Sequence, residues 1–195
     1  MGIARAWIML ATLVCLGGPA FAGTITGKVA GAKSNSNAVV YVEKIAGQTF
    51  KAPEKHAVMD QKGKEFIPRI LPLLTGTTVD FVNSDPFLHT VYTPEGCGDN
   101  FNLGNLAAGA TASHTFAQPC AAALLLCESH PEMVAYVVVV ETPYFAVTDA
   151  DGKYTISDVP NGTYQLSVWH ERLKKKQTQE ITVNSTTAAD FTLNQ

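Results

Sequence analysis

The sequence predicts an all-β protein whose strands form sandwiches or Greek-key barrels. Beyond the first two dozen residues no segment has sustained helical periodicity, whereas many segments alternate apolar and polar residues or carry β-branched runs. Glycine, proline, asparagine and aspartate separate these segments, and Asp151-Gly152 and Asn161-Gly162 have the chemistry of tight hairpin turns. Many short strands at regular spacing are typical of sandwiches and Greek-key barrels.

Each expected strand is a short apolar or alternating run that ends at a turn-forming residue. A proline or a cluster of polar residues is taken as a break between strands. In chain order, the expected strands cover residues 24–29, 39–42, 77–82, 90–92, 112–116, 123–126, 135–140, 154–156, 164–169, 178–183 and 189–193.

The composition excludes several classes of protein. Of the 195 residues, 46% are hydrophobic and 16% are charged, against about a quarter charged in an average soluble domain. These values exclude a disordered chain and a highly charged coiled coil. The formal net charge is −3, and no basic patch is present that would predict nucleic acid as a partner.

Residues 1–22 have the features of a cleavable export signal. Arg5 precedes an apolar stretch over residues 6–16, and Ala20 and Ala22 form an A-x-A cleavage pattern. The alternative, a membrane anchor, requires roughly 20 apolar residues and the stretch is shorter. We therefore expect cleavage after Ala22, a periplasmic or secreted protein, and no stable membrane insertion.

Removal of the signal peptide leaves an odd number of cysteines. Cys15 lies within the leader, so Cys97, Cys120 and Cys127 remain. Export favours paired cysteines, and we expect two of these three to form a disulfide and one to keep its thiol for another purpose.

The segment that carries chemistry is Cys127-Glu-Ser-His130-Pro-Glu-Met133, which lies between two apolar strands. Thiolate and thioether are soft ligands and imidazole is borderline, a mixture that suits copper. His89, at the head of another strand, is the best candidate for a fourth ligand. Taken singly, each of these residues could equally have a structural role.

Three motifs in this region resemble the cupredoxin family. Residues 76–83 read G-x-T-V-x-F-x-N, followed by H-x-V from His89 and by C-x-x-H-x-x-M from Cys127. The ligand loop has the spacing of the amicyanin type, and the chain is similar to bacterial proteins called methylamine utilisation-like cupredoxins. The likeness covers about residues 66–141 and implies a cupredoxin domain over residues 55–142.

The resemblance implies one type 1 (blue) copper ion held by His89, Cys127, His130 and Met133. With Cys127 assigned to the metal, the expected disulfide joins Cys97 and Cys120. Candidate apolar neighbours that exclude water from the centre are Phe81, Phe87 and Leu88.

The two ends of the remaining chain resemble one carboxypeptidase regulatory-like, transthyretin-related β-sandwich. Residues 23–43 are similar to its opening hairpin. Residues 147–193 contain the D-x-D-G-x-[YF]-x-I and V-P-x-G-x-Y patterns of its closing half. We expect a split module formed by residues 23–45 and 145–195. Asp149 and Asp151 are interpreted as turn residues, because the further ligands of a calcium loop are absent.

The function that these resemblances imply is one-electron transfer by a protein that is not an enzyme. His130 is the expected electron exit, and the partner is a redox protein, either a donor dehydrogenase or an acceptor cytochrome. No nucleic acid or small-molecule substrate is expected. Glu128 and Glu132 flank His130, so we expect a partner with positive charge near its redox centre.

Three alternatives remain at this point. The protein could store or deliver copper without transferring electrons, or it could be a structural sandwich that binds no copper. Catalysis like that of multicopper oxidases or nitrite reductases requires more histidine ligands than the five scattered ones here. Structural use is expected for His56, His114, His170 and Glu171, although His170 and Glu171 could also act near the metal or at an interface. The run of lysines at 174–176 is expected to be a solvated hairpin end.

Overall fold

The computed structural model describes residues 22–31, 37–94 and 100–193, and every regular element in these ranges is a β-strand. The predicted all-β class is therefore confirmed. The predicted signal peptide lies outside the described residues except for Ala22. In the described ranges, no helix has the length and apolar character needed to cross a membrane.

The strands are, in chain order, β1 (Ala22–Ala30), β2 (Val39–Val42), β3 (Ala57–Gln61), β4 (Phe66–Ile67), β5 (Ile70–Leu74), β6 (Thr78–Asn83), β7 (His89–Tyr92), β8 (Asn102–Leu106), β9 (Thr111–Thr115), β10 (Cys120–Leu126), β11 (Val134–Val140), β12 (Phe145–Val147), β13 (Lys153–Pro160), β14 (Gly162–Trp169), β15 (Gln177–Val183), β16 (Thr186–Ala188) and β17 (Phe191–Thr192).

Six of these strands were not expected from the sequence: β3, β4, β5, β8, β12 and β16. Strand β5 contains Pro72, which lies at the open edge of its sheet, where a missing N–H costs no ladder hydrogen bond. Strand β8 contains Gly104 with a φ of 68°, which breaks the alternating pattern. The strand expected over residues 189–193 is shorter, and only β17 is formed.

The first hydrophobic core lies between two sheets made from the two ends of the chain. One sheet has the order β13-β1-β16, with β17 also pairing with β1, and the other has the order β12-β2-β14-β15. The core contains the inward residues of both sheets, among them Ile25, Val40, Val42 and Leu166. These two sheets form a small β-sandwich.

The second hydrophobic core lies between two sheets made from the middle of the chain. Their orders are β5-β11-β10-β7-β8 and β4-β3-β6-β9. Strand β6 shows the expected alternation, since Val79 and Phe81 are fully buried while Asp80 faces outward. Both sandwiches follow the predicted fold class.

A third cluster joins the two sandwiches through strands β2 and β11. Both strands are continuous apolar runs, and alternate residues of each strand face different cores. On β2, Val40 faces the first core and Tyr41 faces the third; on β11, Val137 faces the second core and Val138 the third. The two sandwiches therefore bury sheet faces against each other, which explains why these strands lack polar alternation.

Candidate metal centre

Two imidazoles and one thiol converge at one end of the second sandwich. The Nδ1 atoms of His89 and His130 lie 3.7 and 3.8 Å from Cys127 Sγ and 3.1 Å from each other. His89 and Cys127 are buried and His130 is partly exposed. In the described part of the chain, this is the group of His, Cys, Asp or Glu residues that could hold a metal ion.

Strand pairing brings these residues together from distant points of the sequence. His89 begins β7, and Cys127 directly follows β10. The two strands are antiparallel neighbours, with Leu126 opposite Tyr92. His130 lies in the ligand loop, which we define as residues 127–133, and this loop turns back into β11.

Met133 ends the ligand loop and is almost fully buried. It belongs to the same hydrophobic cluster as Cys127. Its backbone N–H donates a hydrogen bond of 2.9 Å to the carbonyl of His130, which closes the loop as a tight turn. The structure thus places the predicted thioether ligand in the hydrophobic core that also contains Cys127.

The donor set fits a single first-row metal ion. An ion about 2.0 Å from each nitrogen and about 2.3 Å from sulfur, in a trigonal plane, requires separations of about 3.5 Å between the nitrogens and about 3.7 Å between nitrogen and sulfur. The observed separations, 3.1 to 3.8 Å, are close to that requirement. Two imidazoles, one thiolate and a nearby thioether are the donor chemistry of blue-copper sites.

A buried carboxylate orients His89. Asp85 Oδ2 lies 2.9 Å from His89 Nε2, and the carboxylate also accepts hydrogen bonds from the backbone N–H groups of Gly63 and Lys64. The hydrogen bond from Lys64 N–H is the largest cause that lowers the pKa of Asp85, to about 2. Because the ionised carboxylate only accepts, the proton lies on Nε2 and the Nδ1 lone pair faces Cys127.

The loop before His89 is held by Asn83. Its amide nitrogen donates to the carbonyls of Phe87 at 2.8 Å and Leu106 at 2.9 Å, and its side-chain oxygen accepts from the Asp85 N–H at 3.0 Å. Asn83 is fully buried. These bonds fix the backbone that carries both Asp85 and His89.

Thr90 contacts the Cys127 thiol through both its backbone and its side chain. Its backbone N–H lies 3.4 Å from Cys127 Sγ, its hydroxyl lies 3.7 Å from the same atom, and that hydroxyl accepts from the Glu128 N–H at 2.6 Å. Burial works to raise the pKa of the Cys127 thiol. Hydrogen bonds from the Thr90 N–H and hydroxyl, together with the contacts of the sulfur with the His130 and His89 rings, outweigh burial and lower this pKa to about 6. The site therefore favours a thiolate at neutral pH.

The apolar surface at His130 differs in part from the expectation. Phe81 is fully buried, as a residue that excludes water must be, but Phe87 and Leu88 are 39% and 52% exposed. The Phe87 ring contacts both imidazoles, with centroid distances of 5.2 Å to His89 and 5.5 Å to His130. Phe87 and Leu88 are thus neighbouring exposed apolar residues that do not seal the centre, and Phe87 lies next to His130.

The other predicted residues lie away from this centre. Cys120 is buried in the second core, Cys127 is the free cysteine of the described residues, and Cys97 lies outside them, so the expected Cys97–Cys120 disulfide stays a prediction. His114 stacks on Phe101 with a centroid distance of 3.9 Å, and His56 contacts Asp80 on the surface.

The turn and hairpin assignments have clear structural counterparts. Asp149 accepts hydrogen bonds from the N–H groups of Asp151 and Lys153, which is an Asx turn. The three lysines at 174–176 are all exposed as expected, and Lys176 also contacts Glu43. His170 is 2% exposed and lies under the turn that carries Glu171.

Sequence reasoning missed Asp85 and Thr90 as residues that support the centre. The spacing of Asp85, four residues before His89, was a usable signal, because a carboxylate partner for a metal-ligating histidine is common. The role of Thr90 depends largely on its backbone N–H, and such a role leaves no pattern in the sequence.

The fold and the site together define an all-β protein with a two-histidine, one-cysteine centre at the end of one sandwich, in which only His130 is partly exposed. Over residues 131–194 the chain matches the model of the carboxypeptidase regulatory-like domain. A comparison with curated proteins finds no match.

Among solved structures, the chain is similar to a Cu-containing nitrite reductase from Thermus scotoductus SA-01, with 25% identity and a TM-score of 0.43 over 52% of this chain and 25% of that one. It is also similar to a purple cupredoxin from Nitrosopumilus maritimus, with 24% identity and a TM-score of 0.38 over 43% of this chain and 98% of that one. A reduced Cu(I) amicyanin variant has 20% identity and a TM-score of 0.41 over 51% of this chain and 97% of that one.

The chain thus spans a quarter of the nitrite reductase and nearly all of the two smaller proteins. The comparisons therefore find both resemblances that the sequence predicted, one to cupredoxins and one to the carboxypeptidase regulatory-like domain.

Proposed function

We propose that this protein is a one-electron carrier with a single type 1 copper ion held by His89, Cys127, His130 and Met133. The observation that carries the proposal is the convergence of two Nδ1 atoms on a buried thiol with a lowered pKa. Copper bound there would supply reversible one-electron chemistry. Copper also accounts for the thioether of Met133 in the same cluster, which a hard cation would not use.

The protein's own residues favour transfer with little rearrangement. Asp85, Asn83 and Thr90 hold His89 and Cys127 in place through hydrogen bonds that do not involve a metal. A donor set held in one geometry by its surroundings needs little reorganisation when the charge at the centre changes. Such a scaffold favours electron transfer over release of the ion.

His130 is the proposed electron exit. It is the partly exposed member of the centre, and Phe87 and Leu88 give its surroundings an apolar surface on which a partner can approach closely. Glu128 and Glu132 are exposed beside it. We infer a redox protein partner, a dehydrogenase or a cytochrome, with positive charge around its own redox centre.

The domain and location assignments belong to the same proposal. Residues 55–142 would form the copper domain, and residues 23–45 and 145–195 the carboxypeptidase regulatory-like sandwich. Residues 1–22 would direct export to the periplasm or outside the cell, and Cys97 would pair with Cys120. We propose a carrier and not an enzyme, although one similar structure belongs to a nitrite reductase.

The first experiment is a copper titration of the purified protein beside Cys127→Ser. We expect one equivalent of Cu(II) to produce an intense thiolate-to-copper absorption band that Cys127→Ser abolishes. Ser129→Ala, an exposed change in the same loop, is the matched control and should keep the band. Copper binding without the band would favour storage or delivery, and a lack of stoichiometric binding would leave a structural sandwich.

The partner surface is tested by reversing charge. Glu128→Lys with Glu132→Lys should slow association with a basic redox partner at low ionic strength, and added salt should remove the difference. Glu54→Lys with Glu180→Lys makes the same change in net charge at exposed positions elsewhere. Equal association rates for the two double variants would contradict the proposed surface.

A further inference from the structure

An ion pair connects the two sandwiches beside the ligand loop. Arg69 lies between β4 and β5 of the second sandwich, and Glu171 lies in the turn after β14 of the first. Arg69 Nη2 donates a hydrogen bond of 2.7 Å to Glu171 Oε2. Both side chains are partly exposed, at 46% and 26%, so the pair lies at the rim of the interface. Ion pairs this exposed contribute little to stability.

The same guanidinium also holds the end of the ligand loop. Arg69 Nη1 donates a hydrogen bond of 3.1 Å to the carbonyl of Val134, the residue directly after Met133. The Arg69 carbonyl in turn accepts from the Tyr136 N–H at 2.9 Å. Arg69 therefore holds the first residues of β11, the strand onto which the ligand loop closes. The planar guanidinium makes these two bonds with two separate nitrogens held in a fixed fork, whereas an ammonium offers only one nitrogen.

Glu171 is itself held firmly by the first sandwich. The Trp169 ring packs on Tyr136 of β11, with a centroid distance of 5.2 Å, and His170 is buried. His170 Nδ1 accepts from the Arg172 N–H at 3.2 Å, and its carbonyl accepts from the Leu173 N–H at 2.9 Å. The turn that presents Glu171 is thus fixed on both sides.

We propose that Glu171 and Arg69 are positioning residues through which the first sandwich fixes the end of the ligand loop, and with it the placement of Met133 at the metal. This inference rests on the proposed copper site. It gives the split sandwich a function: Glu171 orients Arg69, Arg69 holds Val134, and Val134 sets the direction in which Met133 enters the core. The axial ligand of such centres tunes their reduction potential, so the sandwich would tune the potential from outside the copper domain.

The chain offers a matched control at the other end of β11. Lys44, after β2, and Glu141, after β11, form an ion pair of 3.6 Å between their exposed side chains. Lys44 belongs to the first sandwich, so this pair also joins that sandwich to β11, but at the end of the strand remote from the ligand loop. Glu141→Ala should therefore reproduce any general effect of weakening the contact between the sandwiches, without the effect on Met133.

The experiment compares Glu171→Ala, Arg69→Ala, Arg69→Lys and Glu141→Ala in the full protein. In the metal-free form, exchange of the Met133 amide, which is bonded to the His130 carbonyl, should be several-fold faster in Glu171→Ala and Arg69→Ala than in Glu141→Ala. In the copper form, the first two variants should shift the reduction potential and the thiolate-to-copper bands. Arg69→Lys should recover only part of both effects, and Glu141→Ala should match the wild type.

The outcomes separate this inference from the proposed function. If the wild type binds copper and Glu171→Ala behaves like Glu141→Ala in both measurements, the inference is wrong and the copper site stands. Faster amide exchange without a change in potential would likewise contradict control of Met133 at the metal. If neither the wild type nor any variant binds copper, the proposed function fails, and with it any control of a copper centre by the sandwich.

Discussion

His89 is held by Asp85, whose Oδ2 lies 2.9 Å from the imidazole Nε2 at a site with little exposure to solvent. The carboxylate that orients the ring is itself fixed by backbone N–H groups of the β3–β4 turn. The orientation of the His89 ring therefore depends on Asp85 and, through it, on the β3–β4 turn. This dependence can be measured.

Replacing Asp85 by alanine should weaken copper binding by about 10- to 100-fold, because the ring of His89 loses the acceptor that fixes its orientation. Competition with a calibrated chelator measures the change. Asp80→Ala is the control, since Asp80 also accepts from a histidine at 2.9 Å but faces the surface away from the centre. Equal affinity of Asp85→Ala and Asp80→Ala would contradict the role given to Asp85.

The metal-free protein should form the Cys127 thiolate with a midpoint near pH 6, well below the usual value of 9.0. The ultraviolet absorbance of the thiolate measures this titration, and Cys127→Ser should show no such step. Because the folded pKa is lowered, the thiolate's contribution to stability is fully present above about pH 9 and is lost as the pH falls through about 6. Thr90→Ala removes the hydroxyl donor and should raise the midpoint, and a midpoint near 9 in the wild type would contradict the hydrogen-bond network.

The ionised carboxylate of Glu43 should stabilise the folded protein at neutral pH but not in strong acid. Its carboxylate accepts from Ser167 and Lys176, and these hydrogen bonds outweigh burial, which acts in the opposite direction, so its pKa lies below the usual 4.5. The contribution is therefore present above pH 4.5 and lost as the pH falls through the lowered pKa. Glu43→Gln should cost about 0.5–1 kcal/mol at pH 7, measured by urea unfolding, and nothing in strong acid.

The control for Glu43 is Glu54→Gln. Glu54 pairs with Lys51 at 2.9 Å, but both side chains are more than four-fifths exposed, and the variant should unfold like the wild type. A constant difference between Glu43→Gln and the wild type across the acid range would show that the pair does not titrate as described.

Gly27 should not tolerate a side chain. A Cβ at this position would lie 1.8 Å from the carbonyl oxygen of Ala189 and 2.8 Å from the Tyr154 hydroxyl, because β1 passes directly under the segment before β17. Gly27→Ala should therefore lower the free energy of unfolding by about 1–3 kcal/mol. Lys28→Ala, at the next and exposed position, should change it by less than about 0.5 kcal/mol. Equal stability of the two variants would contradict the close approach.

The fold class and much of the centre could be predicted from local patterns. Strands such as β2 and β6 are short runs whose side chains must be buried on one or both faces, and this requirement is visible in the residue types themselves. Cys127, His130 and Met133 lie within one loop, so their soft and borderline donors are close together in any fold of that loop.

Strand β5 and the exposure of Phe87 could not be predicted in the same way. A proline normally argues against a strand, and only the edge position of β5 makes Pro72 acceptable. Phe87 has the residue type of a core position, but its loop carries it to the surface beside His130.

The sequence by itself determined the strand periodicities, the donor chemistry of the ligand loop and the two family resemblances, because these depend on residues close together in the chain. Only the tertiary structure decided that Asp85 orients His89, that Thr90 N–H faces the thiol, and that Glu171 reaches the end of the ligand loop through Arg69. The last contact joins residues 102 positions apart. Contacts of this kind depend on how whole sheets pack, and no local pattern encodes them.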